Sequence, residues 1–270
     1  MSDLQSSLDH LLSKCGLSSS FSRLRYLLVL DLKANCEDGK EFLPCQEIIE
    51  FAVVLLDSKS MKLIDTFHSY VRPQFVSQLT TFCTQLTGIT QDIVNHALTL
   101  QYVLKNFDSW LFKHTLIDSL GGQPSRQFSW AFGTIGDWGL RTLLRNQASV
   151  CKLSLPSYFE QWINLKQTFQ DVMKYKPYSM ETMMKDLRIR HLGRLHSGRD
   201  DALNTAQILQ KLAFKGVGLR MTSSVHGKLP GYNESVVTHT QNKHGEIKPI
   251  FPSFSGFSSS LPKSILSSLS

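Results

Sequence analysis

Asp31 stands where an apolar run of β-forming residues breaks, in the stretch YLLVLDLKAN from Tyr26 to Asn35. A buried strand that ends in a carboxylate holds that acid rigidly at the edge of a sheet, where it can bind a metal. Alternate residues of a strand share a face, so residue 33 points to the same side as Asp31. A second ligand belongs there if Asp31 holds a cation, yet residue 33 is Lys. A protonated amine is a donor only, and it repels a cation rather than ligating it.

The elements that must carry these residues are legible from pattern. Three strands are expected at Tyr26–Leu32, Glu47–Leu56 and Lys62–Val71, joined by tight turns as an antiparallel meander. Helical spacing follows over Val76–Leu86, Thr90–Asn95 and Thr99–Lys113. Leu116–Arg126, with its Gly-Gly and Pro, reads as a loop. A strand is expected over Gln127–Thr134 and a helix over Asp137–Arg145. A strand-then-helix unit begins at Trp162. Helices close the series at Ser179–Leu187, with Ser179 as N-cap, and at Asp200–Lys215, stopped by Gly216. Strands first, then strands mixed with helices, imply a mixed α/β sheet flanked by helices.

Outside this region, Leu4, Leu8, Leu11 and Leu12 fall on one face of a short amphipathic helix, followed by a Ser-rich linker to residue 22. From Thr222 the periodicity stops. Half of residues 253–270 are Ser, which marks a disordered tail. Phe251, Phe254 and Phe257 within it are spaced as a docking motif could be. The domain organisation is therefore 1–22, 23–221 and 222–270.

The chain has 270 residues and a formal net charge of +7, which favours a polyanionic partner such as nucleic acid. Its five cysteines are scattered without CxxC pairs or Cys/His clusters, so neither a disulfide framework nor a zinc site is indicated, and a reducing compartment fits. No apolar run reaches the length of a membrane span, and no signal-peptide pattern opens the chain. Cytoplasm or nucleus is the expected location.

Three stretches in this order, LDLKANCED, then QEIIEFAVVLLDSKSMKLIDTFHSYVRP with FCTQLTGITQ, then HSGRDDALNTA, resemble the Eri-type 3′-to-5′ exoribonucleases. These are DEDDh exonucleases on an RNase H-like fold. FGTIGDWGL and LPSYFEQWINLK resemble the family's middle segments. The resemblance runs over about residues 24–221, and TGITQ together with HxGxDD is its most specific part.

The resemblance implies two Mg²⁺ or Mn²⁺ ions held by four carboxylates, which activate water and stabilise the leaving oxygen, with a His as general base. Mapped residue by residue, it assigns Asp31 and Asp201 as metal ligands and His196 as the base. It places Lys33 where the Glu of a D-x-E motif belongs, and Gly139 where the metal-facing Asp of a G-D-W-D-L-like stretch belongs. Two negative charges are lost and one positive charge is gained. Asp137 lies about 200° round the helix from position 139, so it reads as a cap rather than a replacement. Asp200 likewise reads as a cap. Lys33 is expected to sit between Asp31 and Asp201 as an internal counterion.

For RNA contact, the resemblance points to Phe82 and Thr87, and to Trp138, Arg194 and Arg199. Arg188, Arg190 and His191 extend the basic run. Trp130 and Phe132 suit base stacking or the core equally; Trp162 suits the core. The leading expectation is an RNA-binding exonuclease homologue, catalytically impaired, that acts in RNA processing or silencing. An active exoribonuclease with a reduced ligand set is the alternative. A protein-interaction scaffold, contacting partners through the N-terminal helix or the tail, is a third.

Overall fold

A computed structural model describes residues 24–39, 46–120, 122, 124 and 129–229. The amphipathic N-terminal helix, the Ser-rich linker, the Phe251–Phe257 motif and the tail beyond residue 229 lie outside the described residues, as does part of the 116–126 loop.

One seven-stranded sheet organises the chain. Its strands are β1 (Tyr26–Ala34), β2 (Ile48–Asp57), β3 (Leu63–Tyr70), β4 (Trp130–Thr134), β5 (Gln161–Asn164), β6 (Ser223–Ser224) and β7 (Gly227–Lys228). Their order across the sheet is β3-β2-β1-β4-β5-β6-β7. β1, β2 and β3 pair antiparallel, as the tight-turn pattern requires, and Asp31 sits opposite Ala52. β4 and β5 join parallel to β1, as strands separated by helices must. The architecture is the RNase H-like mixed sheet with an antiparallel meander.

The helices are α1 (Thr81–Thr87), α2 (Gln91–Asn95), α3 (Leu100–Lys113), α4 (Leu144–Val150), α5 (Leu165–Met173), α6 (Met180–Asp186) and α7 (Gly198–Phe214). The period of two in β1 sorts its side chains between two cores. Leu28 and Leu30 join Phe51, Phe107 and Phe132 on the α3 face. Leu27 and Val29 join Ala202, Ala206 and Leu209 of α7 on the other. Asp31 and Lys33 continue the odd series, so the strand delivers them towards α7.

Four differences from the sequence reading have local causes. The helix expected from Val76 starts only at Thr81, because the backbone N–H groups of Gln74, Phe75 and Val76 all donate to the buried carboxylate of Glu47. Thr80 then caps the helix by accepting from the Cys83 N–H. The helix expected from Asp137 opens with a π turn, Gly139–Leu143, before α4. α7 starts at Gly198 rather than Asp200, with Ser197 as N-cap. Residues 223–228 form a hairpin that pairs with β5, so the sheet extends past the boundary at 221; Thr222, Ser223 and Ser224 are buried. Among the described residues, no helix is long and apolar enough to cross a membrane.

Candidate active site

The site forms where the C-terminal end of β1 meets the first turn of α7. Lys33 Nζ lies 2.9 Å from Asp31 Oδ1 and 2.6 Å from Asp201 Oδ2. The strand period brings Asp31 and Lys33 to one face. The helix brings Asp201, which is 3% exposed, down onto them. The second oxygen of Asp201, Oδ1, is buried without a hydrogen-bond partner.

The electrostatics follow from burial and spacing. Burial raises the Asp31 carboxyl to about 7, against the pull of Lys33 and with the help of Asp201. Burial alone would lower the Lys33 ammonium, but its two carboxylate neighbours outweigh it and hold the amine above its usual range. Lys33 is thus a fixed positive charge at neutral pH.

His196 immediately precedes the α7 cap. Its backbone is left-handed, with φ of 65°, a conformation that costs a non-glycine residue about 1 kcal/mol or more and recurs at functional sites. Burial, then the charge of Lys33, lowers its imidazole below the ordinary histidine value. That keeps the ring neutral near pH 7, the state a base requires.

Asn204 of α7 braces the preceding loop, accepting from the Leu192 N–H and donating to the Leu192 carbonyl, both at 2.9 Å. Asp200 accepts from the Arg194 N–H at 2.8 Å. Arg194 in turn crosses to α1, where Nη2 donates to the Gln85 carbonyl at 2.6 Å. Its guanidinium lies where a Cβ on Gly88 would stand, 1.7 Å from that position, and Gly88 itself has φ of 76°. Glycine is therefore required at 88 on both counts.

The remaining expected residues separate into those at the surface and those that are not. Arg194 and Arg199 are exposed, as are Arg188 and Arg190; Phe82 and Trp138 are half-buried. Thr87 does not present its hydroxyl outward. It is 6% exposed, donates to the Cys83 carbonyl and accepts from the Ile89 N–H. Trp130 and Phe132 are core residues of the aromatic cluster around Phe107 and Tyr158, and Trp162 is buried with them.

Asp137 is neither a cap nor a substitute ligand. Its Oδ1 accepts from Trp162 Nε1 and Asn164 Nδ2, both at 2.9 Å, and its Oδ2 lies 3.0 Å from Arg141 Nη1. The carboxylate ties the π turn to β5. At Gly139, an added Cβ would meet only Leu32 Cδ1, at 3.8 Å. The position is open, and no side chain of another element fills the place of the missing carboxylate there.

Sequence reading overlooked Glu50. It is 2% exposed, and its oxygens accept from the Gly198 N–H at 2.7 Å and the Arg199 N–H at 3.1 Å, with His68 Nε2 at 2.8 Å. Burial alone would raise this carboxyl; His68 and the two backbone donors more than offset it and hold it below the usual range. A Cβ on Gly198 would approach the Glu50 carboxyl to 2.8 Å, so residue 198 must be small. Two acids inside the otherwise aliphatic EIIEFAVVLL were the available signal.

A two-metal centre needs convergent oxygen ligands. Here the convergent set is two carboxylates already bridged by an ammonium, and among the described residues no group of three or more His, Cys, Asp or Glu is arranged to hold a metal. The residues present do not fit a pair of divalent ions.

A family model described as "Exonuclease" (RNase_T) matches residues 43–209. ERI1 exoribonuclease 3 of Homo sapiens is 41% identical over 202 residues, which cover 74% of this chain and 57% of that protein. 3'-5' exoribonuclease 1 of Homo sapiens is 33% identical over 214 residues, covering 78% and 59%. The chain thus spans a little over half the length of these curated relatives. Among solved structures, the nuclease domain of 3'hExo, a DEDDh family member bound to rAMP, superposes with a TM-score of 0.69 at 33% identity, covering 75% of this chain and 98% of that one. A 3'-exonuclease in a structure of 3'-end specific recognition of histone mRNA stem-loop also superposes with a TM-score of 0.69, at 32% identity over 74% and 87% of the two chains.

Proposed function

This chain belongs to the exonuclease family of the RNase_T model, and from that premise we propose that it binds RNA at 3′ ends or structured elements without efficient cleavage. The observation that carries the reading is the Lys33 ammonium between Asp31 and Asp201. Exonucleases of this family use divalent metals, and a fixed cation in the ligand cluster opposes their entry. Removing Lys33 would leave two buried carboxylates repelling each other, so the lysine also stabilises the cluster it disables.

What remains is a binding surface. The guanidinium groups of Arg188, Arg190, Arg194 and Arg199 are exposed beside the cleft, and Phe82 and Trp138 offer half-exposed rings for stacking. Such a protein would serve RNA processing or silencing by holding RNA rather than trimming it. One observation favours a second reading, weak metal-dependent cleavage: Asp201 Oδ1 is buried with no hydrogen-bond partner and retains capacity for a cation.

Incubation of the protein with 3′-labelled RNA in Mg²⁺ or Mn²⁺, beside Asp31→Ala, separates the two. Intact RNA, with binding that weakens steeply as salt rises, is the expected result. Degradation that disappears in Asp31→Ala would overturn it, and absence of salt-sensitive binding would favour the interaction scaffold. Calorimetry should detect no stoichiometric uptake of two Mg²⁺. The double change Lys33→Glu with Gly139→Asp restores both carboxylates, and the open space at 139 accommodates the second; cleavage should then rise.

A further inference from the structure

Cys36 follows β1 by two residues, and Cys83 lies in the middle of α1. A single side chain fixes both backbones: Thr80 Oγ1 donates to the Cys36 carbonyl at 2.6 Å and accepts from the Cys83 N–H at 3.0 Å. Cys83 is fully buried with Ile49, Ile89 and Val94, while Cys36 is half-buried at the edge of the same cluster. The two thiols are hydrogen-bonded to each other. Their sulfurs therefore need only close from hydrogen-bond contact to the disulfide length of about 2.05 Å.

We propose that Cys36 and Cys83 are a peroxide-oxidisable pair that forms a reversible disulfide between the end of β1 and α1. The hydrogen bond from Cys36, followed by Thr87, favours the Cys83 thiolate against its burial and brings that thiol to about 7, while the Cys36 thiol is pushed up. The more exposed Cys36 meets the oxidant. Its sulfur takes one oxygen from hydrogen peroxide, giving a sulfenic acid and one water. The Cys83 sulfur then attacks the Cys36 sulfur. The S–S bond forms, the S–O bond breaks, and hydroxide leaves with the Cys83 proton as a second water. Two electrons pass from the thiols to the peroxide.

The bond would staple the Asp31-bearing strand to the helix whose Gln85 carbonyl receives Arg194. Oxidation thus stiffens one wall of the cleft. It takes place whether or not RNA binds, so its failure would leave the proposed function untouched.

Trypsin places each of the five cysteines on its own peptide, with Cys36 on residues 34–40 and Cys83 on residues 63–105. The reduced full chain is treated with hydrogen peroxide, alkylated, digested and analysed by mass spectrometry. The expected result is a 34–40/63–105 linked peptide, lost on adding dithiothreitol, from protein that stays monomeric on a non-reducing gel. A rise in Tm of about 5 °C should accompany it. Recovery of the two cysteines singly oxidised or joined to other cysteines, in protein whose circular dichroism is unchanged, overturns the proposal. Cys36→Ser, at the half-exposed position, keeps the test usable if Cys83 variants fail to fold. It should abolish the Tm rise, and a rise that persists in it overturns the proposal.

Discussion

Glu50 and Asp201 are both almost wholly buried, and both sit at the first turn of α7. Around Glu50 every contact is a donor: two backbone N–H groups and His68. Around Asp201 and its neighbour Asp31 there is one ammonium, and one carboxylate oxygen has no hydrogen-bond partner. Titration follows the contrast. Glu50 is held below the usual range, whereas burial raises Asp31 to about 7. A buried acid saturated with donors secures architecture. A pair left short of donors marks the place where the fold once, or elsewhere, spends its binding capacity on something else.

The contrast is sharpest when each cluster loses its key member. Lys33→Met removes the sole cation from two buried carboxylates and should cost about 3 to 5 kcal/mol in urea unfolding at pH 7. A loss under 1 kcal/mol would show that Lys33 does not hold the cluster.

Glu50→Gln should cost less, about 2 kcal/mol, because an amide keeps one acceptor but presents N–H against donors. The sign with pH is fixed by the depressed value of Glu50. Its stabilisation is present above the unfolded value of 4.5 and is lost as pH falls through the lower folded value. The gap between the parent protein and Glu50→Gln should therefore be full at pH 7 and shrink below about pH 4.5. A gap that holds constant to pH 3 would assign the effect to packing.

Asp137→Asn tests the acid that lies near the site yet outside it. The amide oxygen still accepts from Trp162 and Asn164, and only the partly exposed pair with Arg141 is weakened. A loss of about 0.5 kcal/mol, with RNA affinity unchanged, is expected. A large loss of affinity would place Asp137 in the binding surface after all.

The parts of the site that depend on local period were legible in the sequence. Alternation in β1 put Lys33 beside Asp31, and the short spacing between His196 and Asp201 put both at the start of α7. What escaped depends on partners far along the chain. Glu50 reads as an interruption in an aliphatic strand, and its meaning comes from the N–H of Gly198, 148 residues away. Glu47 misled in the same way. Its carboxylate draws the 74–76 backbone out of a segment whose own spacing is helical. Asp137 was misread because a side chain that caps and one that reaches across to β5 look alike in sequence.

The carboxylate of Glu50 also decides where a nucleic acid can be gripped. The start of a long helix, with its free N–H groups and positive dipole end, is a ready-made seat for a phosphate. In α7 that seat is already taken by an anion belonging to the protein. An incoming strand is therefore denied backbone capture at this helix and must be held by arginine side chains, an attachment that salt can loosen.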